Sequence, residues 1–196
     1  NFIYTAKQAG VKKIVKIGSM GSWRVIHNQL DTYIRDCGIN CISFDMSVLM
    51  NNIFTEQYIG TTLLNYRHDT PAPYLDPKAL AEAIEQAMNR EALLNFNIKA
   101  TGRFQYSIED VERILESNGY PVTCIETIHN NQLHKNAGVS ADQRLMSDIS
   151  DDYALGIYPK ISTDLSMFGV ISRSLEDFVE QDSQYFLNLQ AGDKNL

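Results

Sequence analysis

A group of small polar residues follows the first strongly apolar segment of the chain. Residues 13–22 read KIVKIGSMGS, a short β-branched run that ends in glycines and serines. Proteins of the α/β class bind ligands at the carboxyl ends of such strands, where Ser19 could present a hydroxyl. A phosphate loop would need a lysine and the spacing G-x-x-x-x-G-K-[ST], which this loop lacks. The segment therefore predicts either a hydroxyl aimed at a ligand or a plain turn.

A histidine and a carboxylate follow this loop. His27 and Asp31 are four residues apart, so on a helix they share one face. Imidazole titrates near neutral pH and can donate a hydrogen bond to a hydroxyl or a carbonyl oxygen. The alternative is an exposed or capping histidine at the start of the helix.

A second candidate region follows the next apolar run, INCISFDM. Asp45 closes this run and could pair with a basic neighbour such as Lys16. The residues after it, from Met46 to Leu49, and the adjacent Asn51 and Asn52 could line a pocket. Asparagines in loops also form turns, which is the alternative for this pair.

Two other patterns are rejected as sites. Tyr74 and Lys78 have the spacing Y-x-x-x-K, but Pro77 and an N-cap at Asp76 interrupt the helix on which such a pair would act. The remaining histidines, His68, His129 and His134, have no ligand spacing with acids or cysteines. No metal site is predicted.

The composition excludes several classes of protein. The 196 residues carry a net charge of −7, which argues against a nucleic-acid surface. No apolar run approaches the length of a membrane span. Three cysteines, Cys37, Cys41 and Cys124, fit no metal spacing and indicate reduced thiols in a cytoplasmic protein. With 44% apolar residues, we expect one continuous body.

The first fifty residues alternate between helix and strand patterns. A helix over residues 2–9 ends at Gly10, and a strand and the loop follow. A second helix has one apolar face and ends at Gly38, and the INCISFDM strand follows it. This alternation predicts parallel βαβ units and an α/β fold. The apolar face of the second helix comprises Val25, Ile26, Leu30, Tyr33 and Ile34.

The rest of the chain is less regular. Residues 50–73 have no clean period and predict a loop-rich excursion. Strands are predicted over 93–100 and 123–128, and residues 129–152 predict helix and connection. Three further helices have recognisable starts. These are Asp76 before Pro77, Ser107 with Asp110, and Ser174 before a helix with apolar positions 175, 178, 179, 185 and 186.

Six segments in this order resemble the NmrA-like family of atypical short-chain dehydrogenases. They are AKQAGVKKIVKIGS; His27 with Asp31, Ile34 and Cys37-Gly38; Asn52 seven residues after Asp45; YLDPKALAEAIEQAM; FNIKATGRFQYSIEDVERIL; and GVISRSLEDFVEQDSQYF. The family has Arg where this chain has Asp45. A carboxylate would repel an anionic cofactor that a guanidinium attracts.

The resemblance implies the C-terminal part of a Rossmann-like parallel sheet with a small α+β substrate lobe. Residues 1–60 and 74–100 would form the remainder of the Rossmann-like domain, and 101–196 largely the lobe. The family's opening G-x-x-G-x-x-G half is absent, so this chain alone cannot complete a dinucleotide site. The sheet would then have an open edge, which a second copy or a protein partner could cover.

The resemblance also assigns roles to residues. Ser19 and His27 would act at the reacting carbon. Ser19, Met46, Ser47 and Val48 would contact the cofactor, and Met20, Leu49 and Asn52 would line the substrate pocket.

The expected function is reduction of a small carbonyl, quinone or unsaturated substrate by NADP or NAD. The alternatives are a non-catalytic regulator or degenerate scaffold that binds a protein partner, and a stand-alone product with a changed function.

Overall fold

The computed structural model describes residues 2–20, 24–66, 70–91, 93–127 and 161–190. In this part of the chain, two three-stranded sheets combine with α-helices, a π-helical turn at Ile53–Gln57 and a 3₁₀ turn at Asp164–Phe168. The α-helices are α1 (Phe2–Gln8), α2 (Arg24–Asp36), α3 (Pro77–Asn89), α4 (Ile108–Ser117) and α5 (Leu175–Gln190). The strands are β1 (Lys13–Ser19), β2 (Asn40–Met46), β3 (Tyr58–Ile59), β4 (Thr62–Asn65), β5 (Asn97–Ala100) and β6 (Cys124–Thr127).

The first sheet is parallel and has the order β1-β2-β5. This arrangement confirms the α/β class and the βαβ units predicted from the alternating pattern. Alternate residues of β2 point to opposite faces of the sheet. Cys41 packs in a cluster with Ile3 of α1 and Ile34 of α2. Phe44 packs in a second cluster with Leu80 of α3. Helices α1 and α2 therefore cover one face, and α3 covers the other.

Strand β1 lies at the edge of this sheet in the described part of the chain. The carbonyl of Lys12 accepts a hydrogen bond from Asn40 N at 3.0 Å, and Met20 N donates to the carbonyl of Met46 at 3.2 Å. Even-numbered residues thus direct their backbone groups towards β2. The odd-numbered residues from Lys13 to Ser19 direct theirs towards the open side.

The second sheet belongs to a smaller α+β lobe. Strands β3 and β4 form an antiparallel hairpin, and β6 pairs with β4 in parallel. Its core includes Phe54, Leu63, Ile114 of α4 and Phe178 of α5. The predicted loop-rich excursion at 50–73 is therefore wrong in part. The segment holds the π-helical turn and the hairpin, whose two strands are too short for a clean period of two, with Gly60 between them at φ 66°.

Three of the predicted helix starts are present with their capping bonds. Asp76 accepts a hydrogen bond from Lys78 N at 3.0 Å, and Ser107 and Asp110 form a reciprocal capping box. Ser174 Oγ accepts a hydrogen bond from Asp177 N at 3.1 Å. These caps satisfy backbone donors that the first turn of a helix leaves without partners.

The apolar face of α2 is buried only in part. Ile34 is buried, but the other four residues of this face are exposed. They are Val25, Ile26, Leu30 and Tyr33. The buried side of α2 instead carries Asp31, which pairs with a charged residue of β1. The apolar stripe therefore points away from the sheet.

A backbone contact joins the lobe to the parallel sheet. Gly102, just after β5, donates from its N to the carbonyl of Pro73 at 3.3 Å. A Cβ at position 102 would lie 1.8 Å from the carbonyl oxygen of Tyr74. Only glycine allows the two chain segments to approach this closely. The predicted helix and connection at 129–152 lie outside the described residues.

Candidate functional site

The carboxyl ends of β1 and β2 meet at one edge of the parallel sheet. Gly18 stands beside Asp45 in the register, and Ser19 stands beside Met46. Crevices at this edge are where open parallel sheets bind nucleotides and substrates. The residues predicted to contact cofactor and substrate thus begin at neighbouring positions.

Ser19 is half-buried at the end of β1. Its hydroxyl donates to the carbonyl oxygen of Met20, the next residue, at 3.0 Å. Rotation about χ1 would release this local bond, so the hydroxyl can turn towards a ligand. The side chain of Met20 is buried and packs in the core of the lobe.

The segment after β2 is joined to residues 73–75 by hydrogen bonds. Ser47 Oγ donates to the carbonyl of Pro73 at 2.6 Å. The carbonyl of Val48 accepts from Leu75 N at 2.8 Å, and Met50 N donates to the Leu75 carbonyl at 2.9 Å. Val48 is buried in the lobe core. These bonds hold the segment after β2, which was predicted to line a pocket, in a fixed conformation.

Three further residues of the predicted site lie on this path. Met46 and Leu49 are partly buried and pack against the core shared with α3. Asn52 is half-buried and precedes the π-helical turn, with its N donating to the carbonyl of Leu49 at 3.1 Å. Within the described chain, the neighbouring Asn51 has a buried Oδ1 that accepts no hydrogen bond. π-Helical turns often occur beside functional sites.

A buried polar cluster lies between α2 and the sheet. Lys16 Nζ is 2.7 Å from Asp31 Oδ1 in an ion pair whose side chains are 11% and 2% exposed. The same amine donates to the carbonyl of His27 at 3.2 Å. Asp31 is thus an ion-pair partner of Lys16 that the sequence did not suggest, and Asp45, the partner it did suggest, lies in the same cluster. A lysine in the middle of a β-branched strand was the available signal for a buried partner.

Asp45 lies inside this cluster. It is 1% exposed, and its Oδ1 accepts a hydrogen bond from Ser43 Oγ at 3.4 Å. A Cβ at Gly18 would lie 3.0 Å from that oxygen and 3.4 Å from His27 Cγ. The residue that stands in place of the family's arginine is thus a buried carboxylate beneath α2. The sequence had left two interpretations open for this carboxylate: repulsion of an anionic cofactor, or pairing with a basic neighbour such as Lys16.

His27 packs against the face of β1 that Gly18 presents to α2. Ser19 is the next residue of the strand, so its side chain leaves from the opposite face. Burial lowers the pKa of His27 below its ordinary value, and the charge of Lys16 adds to this effect, while Asp45 and Asp31 oppose it. The geometry does not bring His27 and Ser19 together on one face.

Cys41 shares the cluster but is unreactive as a nucleophile. Its Sγ lies 3.7 Å from Asp31 Oδ1. Burial, together with a smaller effect of the Asp31 carboxylate, raises the pKa of this thiol to about 11. The thiol therefore stays protonated at neutral pH.

A separate cleft of about 270 Å³ lies between α3 and α5. On its wall, Arg173 binds Asp76 with Nε and Nη2 at 2.7 and 3.1 Å, and Nη2 also binds Asp182 at 2.6 Å. Hydrogen bonds to Asp76, then to Asp182, raise the pKa of Arg173 further above its ordinary value. The ion pairs of Arg173 with Asp76 and Asp182 therefore hold α5 against the start of α3.

The rejection of the Y-x-x-x-K pattern agrees with the structure. Tyr74 is fully buried, and its hydroxyl donates to Gln57 Oε1 at 3.0 Å. Lys78 is exposed in the first turn of α3.

Among the described residues, no group of three or more His, Cys, Asp or Glu could hold a metal ion. His68, His129 and His134 lie outside those residues. None of the described helices is long and apolar enough to cross a membrane.

No protein-family model matches the sequence, and no curated protein matches it. Solved structures do. NADPH-dependent quinone oxidoreductase from Escherichia coli, in complex with NADPH, superposes with a TM-score of 0.76 at 15% identity, over 94% of this chain and 69% of that one. Triphenylmethane reductase from Citrobacter sp., in complex with NADP(H), gives 0.70 at 17% identity, over 89% and 66%.

The negative transcriptional regulator NmrA is also similar, with a TM-score of 0.69 at 12% identity, over 96% of this chain and 70% of that one. These structures are of the NmrA-like atypical dehydrogenase type. The resemblance predicted from the sequence is therefore confirmed at the level of the fold, which is that of Rossmann-like NAD(P)-binding proteins. The chain spans 66% to 70% of the lengths of the three structures.

Proposed function

We propose that this chain belongs to an NmrA-like oxidoreductase that reduces a small carbonyl, quinone or unsaturated substrate with NADP or NAD. One observation carries the proposal. The fold shared with two NADPH-linked reductases brings Ser19 and the Met46–Asn52 segment to adjoining strand ends, where parallel sheets bind dinucleotides.

Ser19 and the segment after β2 fit the nicotinamide end of a dinucleotide. A half-buried hydroxyl and a fixed chain path beside it suit the uncharged nicotinamide. Nothing in the sequence supplies the glycine-rich phosphate motif, so these residues by themselves do not account for binding of the pyrophosphate. When bound, the cofactor supplies the hydride.

The roles proposed for individual residues follow from their positions. The Ser19 hydroxyl donates a hydrogen bond to the carbonyl oxygen of substrate or nicotinamide. Met46, Ser47 and Val48 support the nicotinamide, and Met20, Leu49 and Asn52 form or back the pocket wall. His27 packs behind Gly18, and we assign it the role of positioning the end of β1.

Nicotinamide binding tests this proposal directly. Reduced nicotinamide mononucleotide, NADPH and NADH would each be added to the chain, with saturation-transfer NMR of the nicotinamide protons as the readout. We expect the mononucleotide to bind and Ser19→Ala to weaken it about tenfold, the value of one hydrogen bond. Ser166→Ala, which removes an exposed hydroxyl from the 3₁₀ turn, should leave binding unchanged. Absence of binding by all three compounds would overturn the proposal.

A second function is favoured by one observation. Asp45 is a buried carboxylate where the family carries an arginine, and the regulator NmrA shares the fold. The chain would then be a non-catalytic dinucleotide sensor or a degenerate scaffold that binds a protein partner. This alternative predicts no turnover with any quinone or aldehyde and a stable partner in pull-downs. Consumption of NADPH that depends on Ser19 would reject it.

The edge of β1, which no other described strand pairs with, is the proposed place for such a partner or for further polypeptide. The outward backbone groups from Lys13 to Ser19 can accept an added strand. Hydrogen exchange measures this directly. Fast exchange of the amides of residues 13, 15, 17 and 19 in the isolated chain, and slow exchange in a complex, would support the proposal.

A further inference from the structure

A lysine amine lies on the face of the sheet that α2 covers, close to the end of β1. The side chain of Lys16 is 11% exposed. Residues 16 and 18 leave the strand on the same face, and a Cβ at Gly18 would lie 3.5 Å from Lys16 Nζ. The amine is therefore beside the residue that immediately precedes Ser19.

This amine binds two successive turns of α2. It lies 2.7 Å from Asp31 Oδ1 and donates to the carbonyl of His27, one turn earlier, at 3.2 Å. Lys16 precedes Ser19 on β1, and His27 lies in the first turn of α2. Lys16 thus joins the two ends of the connection that leaves the sheet at Ser19.

Stability alone is a weak reason for a buried ion pair at this place. The removal of two charges from water costs free energy, and apolar side chains of similar size often stabilise a core as well or better. Apolar packing lacks the directionality of a hydrogen bond, whose donor must point at its acceptor. The ion pair of Lys16 with Asp31 therefore indicates a requirement for defined geometry where β1 meets α2.

We propose that Lys16 is a positioning residue of the ligand site. It holds the first turns of α2 over Gly18 and thereby fixes the backbone from which the Ser19 side chain leaves the opposite face of β1. Lys16 acts through Ser19 and contacts neither substrate nor cofactor. The inference rests on the proposed function, which assigns to Ser19 the hydrogen bond to substrate or nicotinamide.

A double substitution separates positioning from stability. Lys16→Met with Asp31→Leu replaces the ion pair by apolar side chains, and we expect a urea midpoint close to that of the wild type. Reduced nicotinamide mononucleotide, followed by saturation-transfer NMR, should nevertheless bind about tenfold more weakly, which is the loss expected for Ser19→Ala. Wild-type affinity in the double variant would overturn the proposal.

The matched control is Lys13→Met on the same strand. Lys13 Nζ donates to the carbonyls of Ala87, Met88 and Arg90 at the end of α3, on the other face of the sheet. This variant should bind the mononucleotide within about twofold of the wild type. A loss equal to that of the double variant would show that the lysines of β1 support the site only through stability, which would also overturn the proposal.

A Ser19→Ala background shows whether Lys16 acts through Ser19. Substitutions that act through one group are not additive. Once the hydroxyl is absent, Lys16→Met with Asp31→Leu should therefore weaken binding by less than about twofold. A second tenfold loss would contradict the positioning role.

Hydrogen exchange gives a readout that needs no ligand. Met20 N donates to the carbonyl of Met46 at 3.2 Å, just after β1. In the double variant this amide should exchange about tenfold faster, whereas the amide of Ile42, in the middle of β2, should keep its rate. Unchanged exchange at Met20 would reject the inference. Failure of the wild type to bind the mononucleotide would instead reject the proposed function.

A second pair of substitutions covers the case in which the apolar pair prevents folding. Lys16→Gln with Asp31→Asn keeps polar side chains of nearly the same size but removes both charges. The shorter glutamine side chain cannot place an ammonium group beside Gly18, so the same loss of affinity and the same faster exchange at Met20 are expected. Wild-type values of both would overturn the proposal.

Discussion

Helices α2 and α4 both carry an apolar stripe in the sequence, and the structure treats the two stripes differently. In α4 the stripe is the buried side, comprising Ile108, Val111, Ile114 and Leu115. In α2 most of the stripe is exposed, and the buried side holds an aspartate paired with Lys16. Periodicity locates an apolar face but does not identify the surface that covers it. The inner side of α2 depends on an ion pair, whereas that of α4 depends on packing.

Removal of the buried carboxylate of α2 should have the largest effect. Asp31→Ala removes the carboxylate that lies 2.7 Å from the nearly buried Lys16 amine, and we expect a loss of about 3–5 kcal/mol in the free energy of unfolding. Urea denaturation measures this loss. Asp36→Ala, on the exposed end of the same helix, is the control and should change stability by less than about 0.5 kcal/mol. Equal effects of the two variants would show that the ion pair does not hold α2.

Truncation of matching isoleucines compares the two stripes directly. Ile114→Ala in α4 should cost about 2–5 kcal/mol, because it opens a cavity in the core of the lobe. Ile26→Ala in α2 should stay within about 0.5 kcal/mol, because the Ile26 side chain is 57% exposed. Comparable losses would mean that the stripe of α2 is buried in solution.

The capping box of α4 should contribute a smaller amount. Ser107→Ala removes the acceptor for Asp110 N and should cost about 1 kcal/mol. Ser117→Ala, at the other end of α4, removes an exposed hydroxyl that donates to the carbonyl of Ile114 and accepts a long bond from Asn118 Nδ2, and it should cost less. Thermal unfolding of the two variants compares them. A larger effect at Ser117 would contradict the importance of the cap.

The smallest expected effect is on the pH dependence of the free energy of unfolding, to which α2 and α4 contribute in different pH ranges. The pKa of His27 in α2 is lowered from 6.5, chiefly by burial. The unfolded chain therefore takes up this proton first, and stability falls as the pH drops below 6.5 towards the folded value. The pKa of Asp110 in α4 is lowered from 3.8, chiefly by its bond from the Ser107 backbone. Its contribution is present above 3.8 and is lost as the pH falls through its folded pKa.

Two variants assign these windows. His27→Gln should flatten the dependence of the urea midpoint on pH just below 6.5 and leave the acidic limb unchanged. Asp110→Asn should flatten only the limb below 3.8. An exchange of these effects would show that other groups dominate the titration.

The sequence predicted much of the fold because its signals are local. Asp76 before Pro77 and Ser107 with Asp110 mark helix starts through bonds within one turn. The hairpin after the π-helical turn was missed, since two strands of this length contain too few residues to show alternation. The exposed face of α2 was missed because burial is decided by what packs against the helix.

The sequence predicted where the candidate site lies, but not which of its side chains contact one another. Ser19 was found at the end of a strand, as its loop indicated. The pairing of Lys16 with Asp31 joins residues of different elements, and Asp45 was equally plausible from the sequence. The face of β1 on which His27 lies is the face that α2 covers, and this depends on the side to which the connection from β1 to β2 crosses rather than on the spacing of residues.

The contact at Gly102 has a consequence for how this sequence can vary. A Cβ there would overlap the carbonyl oxygen of Tyr74, which is backbone and cannot turn away as a side chain can. In a saturation-mutagenesis library scored for folded protein, position 102 should therefore accept glycine alone and reject even alanine. The position of the lobe against the sheet thus requires a residue without a Cβ at position 102.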